Sequence, residues 1–189
     1  MNYGYYSEDE LKEIGIKRYG TNVLISRNSM LYHPEQLEIG NNVRIDDFTT
    51  ISGKVVIGNY IHIAQFCGLY GGSMGIFMDD FSGLSSKVTI YATSNDYSGN
   101  AMTNPMIPAK YKTTDKNSMV RIGRHVIVGC ASVILPGVIL EDGCAVGAMT
   151  LCNKSLDSFK IYGGVPAKML KERERKLLDL EKQLMEEDG

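Results

Sequence analysis

The chain has 189 residues, of which 43% are hydrophobic, and its 22 acidic and 20 basic residues leave a formal charge of -2 at pH 7. This length predicts a single domain with one sizeable core, and the slightly acidic balance argues against a nucleic-acid partner. No apolar run approaches the ~20 residues of a membrane span, and the polar residues 2–10 do not open a signal peptide. We therefore expect a cytoplasmic protein without a membrane span.

The N-terminal residues 1–20 are predicted to form a short helical segment ahead of the main body. Ser7 and Glu10 have the spacing of a capping box, so we expect a helix that begins after Ser7 and ends near Ile14. The main body is placed at residues 21–168.

The main body repeats a six-residue pattern, or hexad, led by an aliphatic residue that is often followed by Gly. A small or β-branched residue stands four places after each leading residue. The leading positions are Ile39, Ile45, Ile51, Ile57, Ile63, Leu69, Met78, Leu84, Ile90, Ile122, Val128, Ile134, Leu140, Val146 and Cys152. The small positions of the last run are Val126, Ser132, Val138, Cys144 and Thr150.

Three such hexads make one turn of a triangular parallel β-helix. The leading side chain points into the prism and the small side chain fits beside a corner. Gly, Asn or Asp tolerates the left-handed backbone that a tight corner requires. The pattern therefore predicts an all-β solenoid that forms one domain over residues 1–189.

The repeat is interrupted after Ile90 and is replaced after residue 168. A polar segment with two prolines occupies residues 94–119, and a loop of this length in a compact domain is typical of a functional site. From Met169 onward a charged segment with spaced leucines predicts a C-terminal helix over residues 169–189. We expect this helix to cover the open end of the solenoid.

The four cysteines are interpreted as structural. Cys67 and Cys144 occupy small positions and Cys152 a leading position, whereas Cys130 lies at a predicted corner. Since no CxxC pairing is present, the sequence predicts neither a disulfide framework nor a bound metal.

Regular hexads, a long loop two-thirds of the way through the prism, and a Gly-Gly-Val-Pro-Ala-Lys segment at residues 163–168 before a terminal helix resemble the hexapeptide-repeat acyltransferases. The likeness is greatest to the galactoside and maltose O-acetyltransferases and to sugar acetyltransferases of surface-polysaccharide gene clusters. It implies a left-handed β-helix and a homotrimer that binds acetyl-CoA and an acceptor between subunits. The implied reaction is acetyl transfer to a hydroxyl or an amine of a sugar or nucleotide sugar.

The same resemblance implies where CoA binds. Its pantetheine arm is expected along the later coils, near the backbone of Ala131 and Ala148. Two further pairs match positions near the adenine and the phosphates of CoA, namely Asn153 with Lys154 and Lys168 with Lys171. Cations near the phosphates have a physical reason, because CoA carries several negative charges.

The candidates for catalysis are four. Similar O-acetyltransferases use a histidine as general base on the coil that carries the loop, but here Asn95 stands at that position, and a neutral amide cannot take a proton. Asp96, His62 and His125 are the alternatives. Of these we favour His62, which is predicted to point outward on the preceding coil.

Hydroxyl recognition is expected from carboxylates and from tyrosine rings, which stack on sugars. The candidates are Asp46, Asp47, Tyr70 and Tyr97, although Asp46 and Asp47 also fit a corner that favours aspartate.

Three functions remain open. The first is O-acetylation of a sugar, with N-acetylation of a nucleotide-linked amino sugar as its rival, since a neutral amine needs less help from a base. The second is a metal-dependent lyase of the γ-carbonic-anhydrase type, which needs three stacked histidines; His33, His62 and His125 do not have the 18-residue spacing of stacked coils. The third is a scaffold without catalysis.

Overall fold

The leading residue of each hexad is buried in the computed structural model, which describes residues 4–112 and 116–187 of the chain. Leu69, Ile90 and Ile134 have no exposed surface, and the small positions Ser132 and Thr150 are also buried. Burial of one aliphatic side chain every six residues gives a continuous core along the axis. The predicted solenoid is confirmed.

The chain winds through about seven turns of three faces. Strands of the first face are Arg18–Tyr19, Leu37–Ile39, the second half of Thr50–Ile57, the second half of Gly68–Met78, Val120–Ile122 and Ile139–Leu140. Those of the second face are Val23–Ile25, Val43–Ile45, Ile61–Ile63, Gly83–Leu84, Ile127–Val128, Ala145–Val146 and Lys160–Gly163. The third face comprises Met30–Tyr32, the first halves of Thr50–Ile57 and Gly68–Met78, Thr89–Tyr91, Val133–Ile134 and Leu151–Cys152.

Successive faces meet at three corners, which we name by their place in one coil. The first corner is typified by residues 123–126, the second by 129–132 and the third by 135–138. Within each face the strands pair in parallel, and Ile122 pairs with Leu140, one 18-residue coil later. Between neighbouring coils the spacing is that of paired strands, about 4.8 Å.

Left-handed backbone conformation recurs at the first and second corners, as predicted, but the residues that adopt it are not only Gly, Asn or Asp. Phe48, Phe66, Phe81 and His125 all have φ between 58° and 63°. Bulky residues rarely adopt this conformation. Here the ring of each residue stacks on the ring of a neighbouring coil, which supplies a stabilising contact.

All insertions into the repeat leave the solenoid at the third corner. Leading residues stay six apart across the first and second corners throughout, for example Ile122 to Val128 to Ile134. Across the third corner the step lengthens to nine residues between Leu69 and Met78. The long loop also leaves there, on a two-stranded antiparallel stem of Thr93–Ser94 and Lys116–Asn117.

Near the N-terminus, the predicted helix is confirmed as Glu8–Ile14. Ser7 accepts a hydrogen bond from the backbone of Glu10, whose side chain accepts one from the backbone of Ser7. Gly15 ends the helix in a left-handed conformation. Short 3-10 turns lie at Pro34–Gln36 and Ala109–Tyr111.

The C-terminal helix is present but shorter than predicted. Lys168–Glu172 forms a strand antiparallel to Lys160–Gly163, so the edge of the second face is closed by a strand rather than by a helix. The helix itself is Leu177–Glu187. It packs along the first corner, where Glu181 contacts Arg124 and His125. The predicted C-terminal helix is therefore confirmed, but it begins at Leu177 rather than at Met169, and it packs along the first corner rather than over the end of the solenoid.

Neither this helix nor any other in the described ranges is long and apolar enough to cross a lipid bilayer.

Candidate active site

The second corner presents two parallel rows of side chains along the solenoid. The left-handed row contains Phe48, Phe66, Lys87, Ala131 and Met149. The preceding row contains the residues one place earlier: Asp47, Gln65, Ser86, Cys130 and Ala148. Backbone N–H groups of the left-handed row donate to the carbonyl groups of the preceding row one coil earlier, for example Ala131 to Ser86 at 3.0 Å. Each step along a row therefore advances one coil.

At the N-terminal end of these rows, Asp46 organises a polar network. Its Oδ1 accepts hydrogen bonds from Arg44 Nε at 2.6 Å and from the hydroxyl of Tyr5 at 3.2 Å, and its Oδ2 lies 2.8 Å from His62 Nε2. His62 points outward on the second face, as predicted, and the carboxylate orients its ring. Asp47 forms separate contacts with Ser26 and Asn28.

Burial of Asp46 raises its pKa, but the hydrogen bonds and charges of His62 and Arg44 outweigh this effect. The pKa of Asp46 therefore lies below its ordinary value. The carboxylate therefore stays ionised at neutral pH, and its hydrogen bond with His62 holds the imidazole ring in one orientation.

At the C-terminal end, the CoA candidates divide between two corners. Ala131 and Ala148 lie on the second corner, and Lys168, exposed and paired with Gly163, begins the strand just beyond it. Lys171 lies further along that strand. Asn153 and Lys154 are exposed but follow the third face, at the third corner.

The third corner carries the remaining candidates on the long loop and at its base. Tyr70 stacks on Tyr91 with ring centroids 5.1 Å apart. In the loop, the backbone carbonyl of Asn95 accepts a hydrogen bond from Ser94. Asp96 accepts hydrogen bonds from the backbone and hydroxyl of Ser98, which orient its carboxylate. Residues 113–115 of the predicted loop lie outside the described residues.

Tyr97 lies in this loop three residues after Ser94, and it is 92% exposed.

His125 is held at the first corner, away from the other candidates. Its ring stacks on Phe81, with centroids 5.1 Å apart, and Nε2 forms a hydrogen bond with Glu181. The backbone carbonyl of His125 accepts a hydrogen bond from Arg173. These contacts give His125 a role in docking the C-terminal helix.

The sequence analysis did not single out Ser86, Phe48 or Phe66, which also lie on these rows. Ser86 lies on the preceding row between Asp47 and Ala148, both of which were candidates. Counting places within each hexad would have aligned Ser86 with Asp47, because the six-residue step holds across the second corner. Nothing in the repeat marks phenylalanine as an exposed corner residue.

Among residues 4–112 and 116–187, no group of three or more His, Cys, Asp or Glu side chains is arranged to hold a metal ion.

Sequence comparison finds relatives that are named as acyltransferases and acetyltransferases. The dTDP-4-amino-4,6-dideoxy-D-glucose acyltransferase of Escherichia coli is 43% identical over 180 residues, which cover 94% of this chain and 93% of the relative. WbbJ of Escherichia coli strain K12, which is named a putative lipopolysaccharide biosynthesis O-acetyl transferase, is 28% identical over 72% of this chain and 69% of its own. No protein-family model matches the chain.

Structure comparison points the same way. Crystal structures of AntD, an N-acyltransferase from Bacillus cereus, superpose with a TM-score of 0.94 at 48% identity, over 97% of this chain and 98% of AntD. AntD was crystallised with dTDP and CoA, with dTDP-4-amino-4,6-dideoxyglucose and CoA, and with dTDP and 3-hydroxybutyryl-CoA. The acetyltransferase domain of PglB from Neisseria gonorrhoeae shares the fold, with a TM-score of 0.58 at 16% identity.

Proposed function

Because this chain belongs to the hexapeptide-repeat acyltransferases, we propose that it transfers an acyl group from acyl-CoA to the amino group of a dTDP-linked 4-amino-4,6-dideoxy sugar. The observation that carries the proposal is the likeness to AntD, an N-acyltransferase, over almost the whole of both chains. The sequence favoured a hydroxyl acceptor and kept an amine as the alternative. The comparisons support the amine better, while WbbJ supports the hydroxyl.

Ser86 and Asp96 are the residues that we assign to catalysis. AntD was crystallised with one aspartate or one serine replaced, and these two positions are ten residues apart. In this chain only Ser86 with Asp96 and Ser132 with Asp142 have that order and spacing. Ser132 is fully buried and cannot touch a substrate, so the first pair fits.

The chemistry of amide formation gives each residue a role. The amine attacks the thioester carbonyl, and the hydroxyl of Ser86 donates a hydrogen bond to the oxygen as negative charge develops. The carboxylate of Asp96 holds the amine and takes its proton as the N–C bond forms. As the C–S bond breaks, that proton passes to the sulfur of CoA, so Asp96 is ionised again.

The positions of these two residues support a site shared between subunits. Ser86 lies at the second corner and the loop with Asp96 leaves the third corner, so the strand Thr89–Tyr91, about 10 Å long, separates them. One amine can meet both groups if a neighbouring copy supplies the loop. Exposed apolar side chains on the second face and corner, Ile127 and Met149, offer a surface for that copy. We propose a homotrimer with C3 symmetry, as the resemblance implied.

We propose that CoA lies along the second corner toward the C-terminus, past Ala131 and Ala148 to Lys168. The sequence predicted acetyl-CoA, and AntD was crystallised with 3-hydroxybutyryl-CoA, so the acyl group is tested with both. Acyl-CoA and nucleotide sugars are made in the cytoplasm, and that location remains a prediction.

Testing the function requires dTDP-4-amino-4,6-dideoxyglucose and its 4-hydroxy counterpart, each with acetyl-CoA or 3-hydroxybutyryl-CoA. We expect release of CoA with the amino sugar and a product whose mass is that of the amide. Ser86→Ala and Asp96→Asn should each lower kcat/KM by roughly 10²- to 10³-fold. Ser85→Ala, one residue away, is the matched control. Acylation of the hydroxy sugar alone would contradict the proposal.

A further inference from the structure

Two phenylalanine rings are exposed to solvent at the second corner. Phe48 and Phe66 are 54% and 52% exposed and stack with centroids 5.0 Å apart at an interplanar angle of 20°. The comparable stack at the first corner, Tyr60 on Phe81, lies beside Met185 of the C-terminal helix. No described segment covers the pair at the second corner. Contiguous exposed aromatic surface is a common feature of sites that bind ligands or other proteins.

The row that contains this pair continues with a free cation. Lys87 is the next residue of the left-handed row after Phe66 and is exposed. No carboxylate in the described ranges pairs with it. The preceding row adds Asp47, Gln65 and Ser86 at the same three steps. A planar apolar surface, a cation and a catalytic hydroxyl therefore follow one another over about 10 Å.

We propose that Phe48, Phe66 and Lys87 form the binding site for the thymidine diphosphate half of the acceptor. This inference rests on the proposed function, which places the amino sugar at Ser86. The thymine ring packs on the two phenyl rings, since bases stack on aromatic side chains. The diphosphate lies against Lys87, between the base and the sugar. Asp47 and Gln65 border the rings and offer partners for the N–H and carbonyl groups of thymine.

The order of groups in a nucleotide sugar agrees with the order of residues. From the reacting sugar outward, the chain of groups is sugar, diphosphate, deoxyribose and base. From Ser86 toward the N-terminus, the corner presents Lys87 on the same coil, then Phe66, then Phe48. CoA extends from Ser86 in the opposite direction, so the two substrates share the corner without overlap.

The test is calorimetric titration of the whole protein with dTDP, which requires no turnover. Phe48→Leu and Phe66→Leu keep apolar bulk but remove the aromatic face, so each should weaken dTDP binding about tenfold. Lys87→Gln should weaken binding of dTDP and leave that of thymidine unchanged. Phe77→Leu, on the first face, is the matched control for loss of a ring. CoA affinity should not change in any variant.

Several outcomes would overturn the inference. If the native protein binds dTDP and both phenylalanine variants bind it equally well, the dTDP-binding site lies elsewhere and the proposed function stands. If the native protein binds CoA but not dTDP, both the inference and the proposed acceptor are wrong. If the phenylalanine variants dissociate into monomers by light scattering and lose CoA as well, the rings belong to an interface between copies.

Discussion

His62 and Asp46 form a hydrogen-bonded pair between neighbouring coils, with Nε2 of the imidazole 2.8 Å from Oδ2 of the carboxylate. Arg44 shares the same carboxylate. One nitrogen of His62 is therefore occupied, and the ring faces outward beside the proposed path of the acceptor.

The first prediction concerns the role of His62. Since Asp96 is assigned as the proton acceptor, His62→Asn should raise KM for the acceptor several-fold and change kcat less than about threefold. Steady-state kinetics with varied dTDP-amino sugar measures both constants. A fall in kcat of roughly 10²-fold or more would instead identify His62 as the general base, the role that the sequence favoured.

Asp46 should make stability depend on pH. The pKa of this carboxyl in the folded protein lies below its ordinary value of 3.8. Its ionised form therefore contributes stability that is present above the ordinary pKa and is lost as pH falls through the folded pKa. Asp46→Asn should lower the free energy of unfolding at pH 7 by about 1–2 kcal/mol and by less at pH 3. Urea unfolding of the native protein and the variant at both pH values measures this difference in free energy, and Asp9→Asn, at an exposed residue, is the control. An equal loss at both pH values would contradict the assignment.

A shared site predicts complementation between two inactive proteins. Ser86→Ala and Asp96→Asn subunits, unfolded together and refolded as mixed trimers, should regain about a quarter of native activity, because one site in four combines both intact residues. Each variant refolded alone is the control. No recovery in trimers shown by mass to be mixed would place both residues in the same subunit's site.

Lys168 should discriminate between two forms of CoA. Replacement by glutamate opposes the 3′-phosphate, so Lys168→Glu should weaken binding of CoA more than binding of dephospho-CoA. Titration of both ligands measures the difference, and Lys176→Glu, on an exposed residue just before the C-terminal helix, is the control. Equal losses for both ligands would indicate a structural effect.

The contact between Glu181 and the first corner should fix the C-terminal helix. The hydrogen bond from Arg124 is the main cause of a pKa of Glu181 below its ordinary value of 4.5, so helix docking should weaken as pH falls through the folded pKa. Glu181→Gln should speed hydrogen exchange in Leu177–Glu187 at pH 7, whereas the exposed Glu186→Gln should not. Unchanged exchange in Glu181→Gln would show that apolar contacts hold the helix.

The core of this protein was predictable because its signal is local and periodic. Ile122, Val128 and Ile134 are six residues apart, and that step alone determines that they point inward. The capping box at Ser7 is likewise local. By contrast, Lys168–Glu172 has leucine, methionine and lysine residues that suit a helix, but an unpaired strand edge at Lys160–Gly163 draws it into the sheet.

Site residues were harder to predict because their roles depend on contacts between coils. His125 occupies a corner position, and its role emerges from Glu181, 56 residues away in the chain. Asp46 was a candidate, but its coupling to His62 depends on coil register. Ser86 was not a candidate, since a serine at a corner has no distinctive local pattern.

Because all insertions leave the solenoid at the third corner, the length of the loop does not alter the six-residue steps at the other two corners. The loop that bears Asp96 leaves there, and the leading residues on either side of it still pair one coil apart, as Ile90 does with Ile134 and Leu84 with Val128. The six-residue steps at the first and second corners therefore stay constant, while the segment at the third corner can differ in length. If the loop contacts the acceptor as proposed, changes in this one segment can alter the acceptor while the second corner, which carries Ser86, Ala131 and Ala148, stays in register.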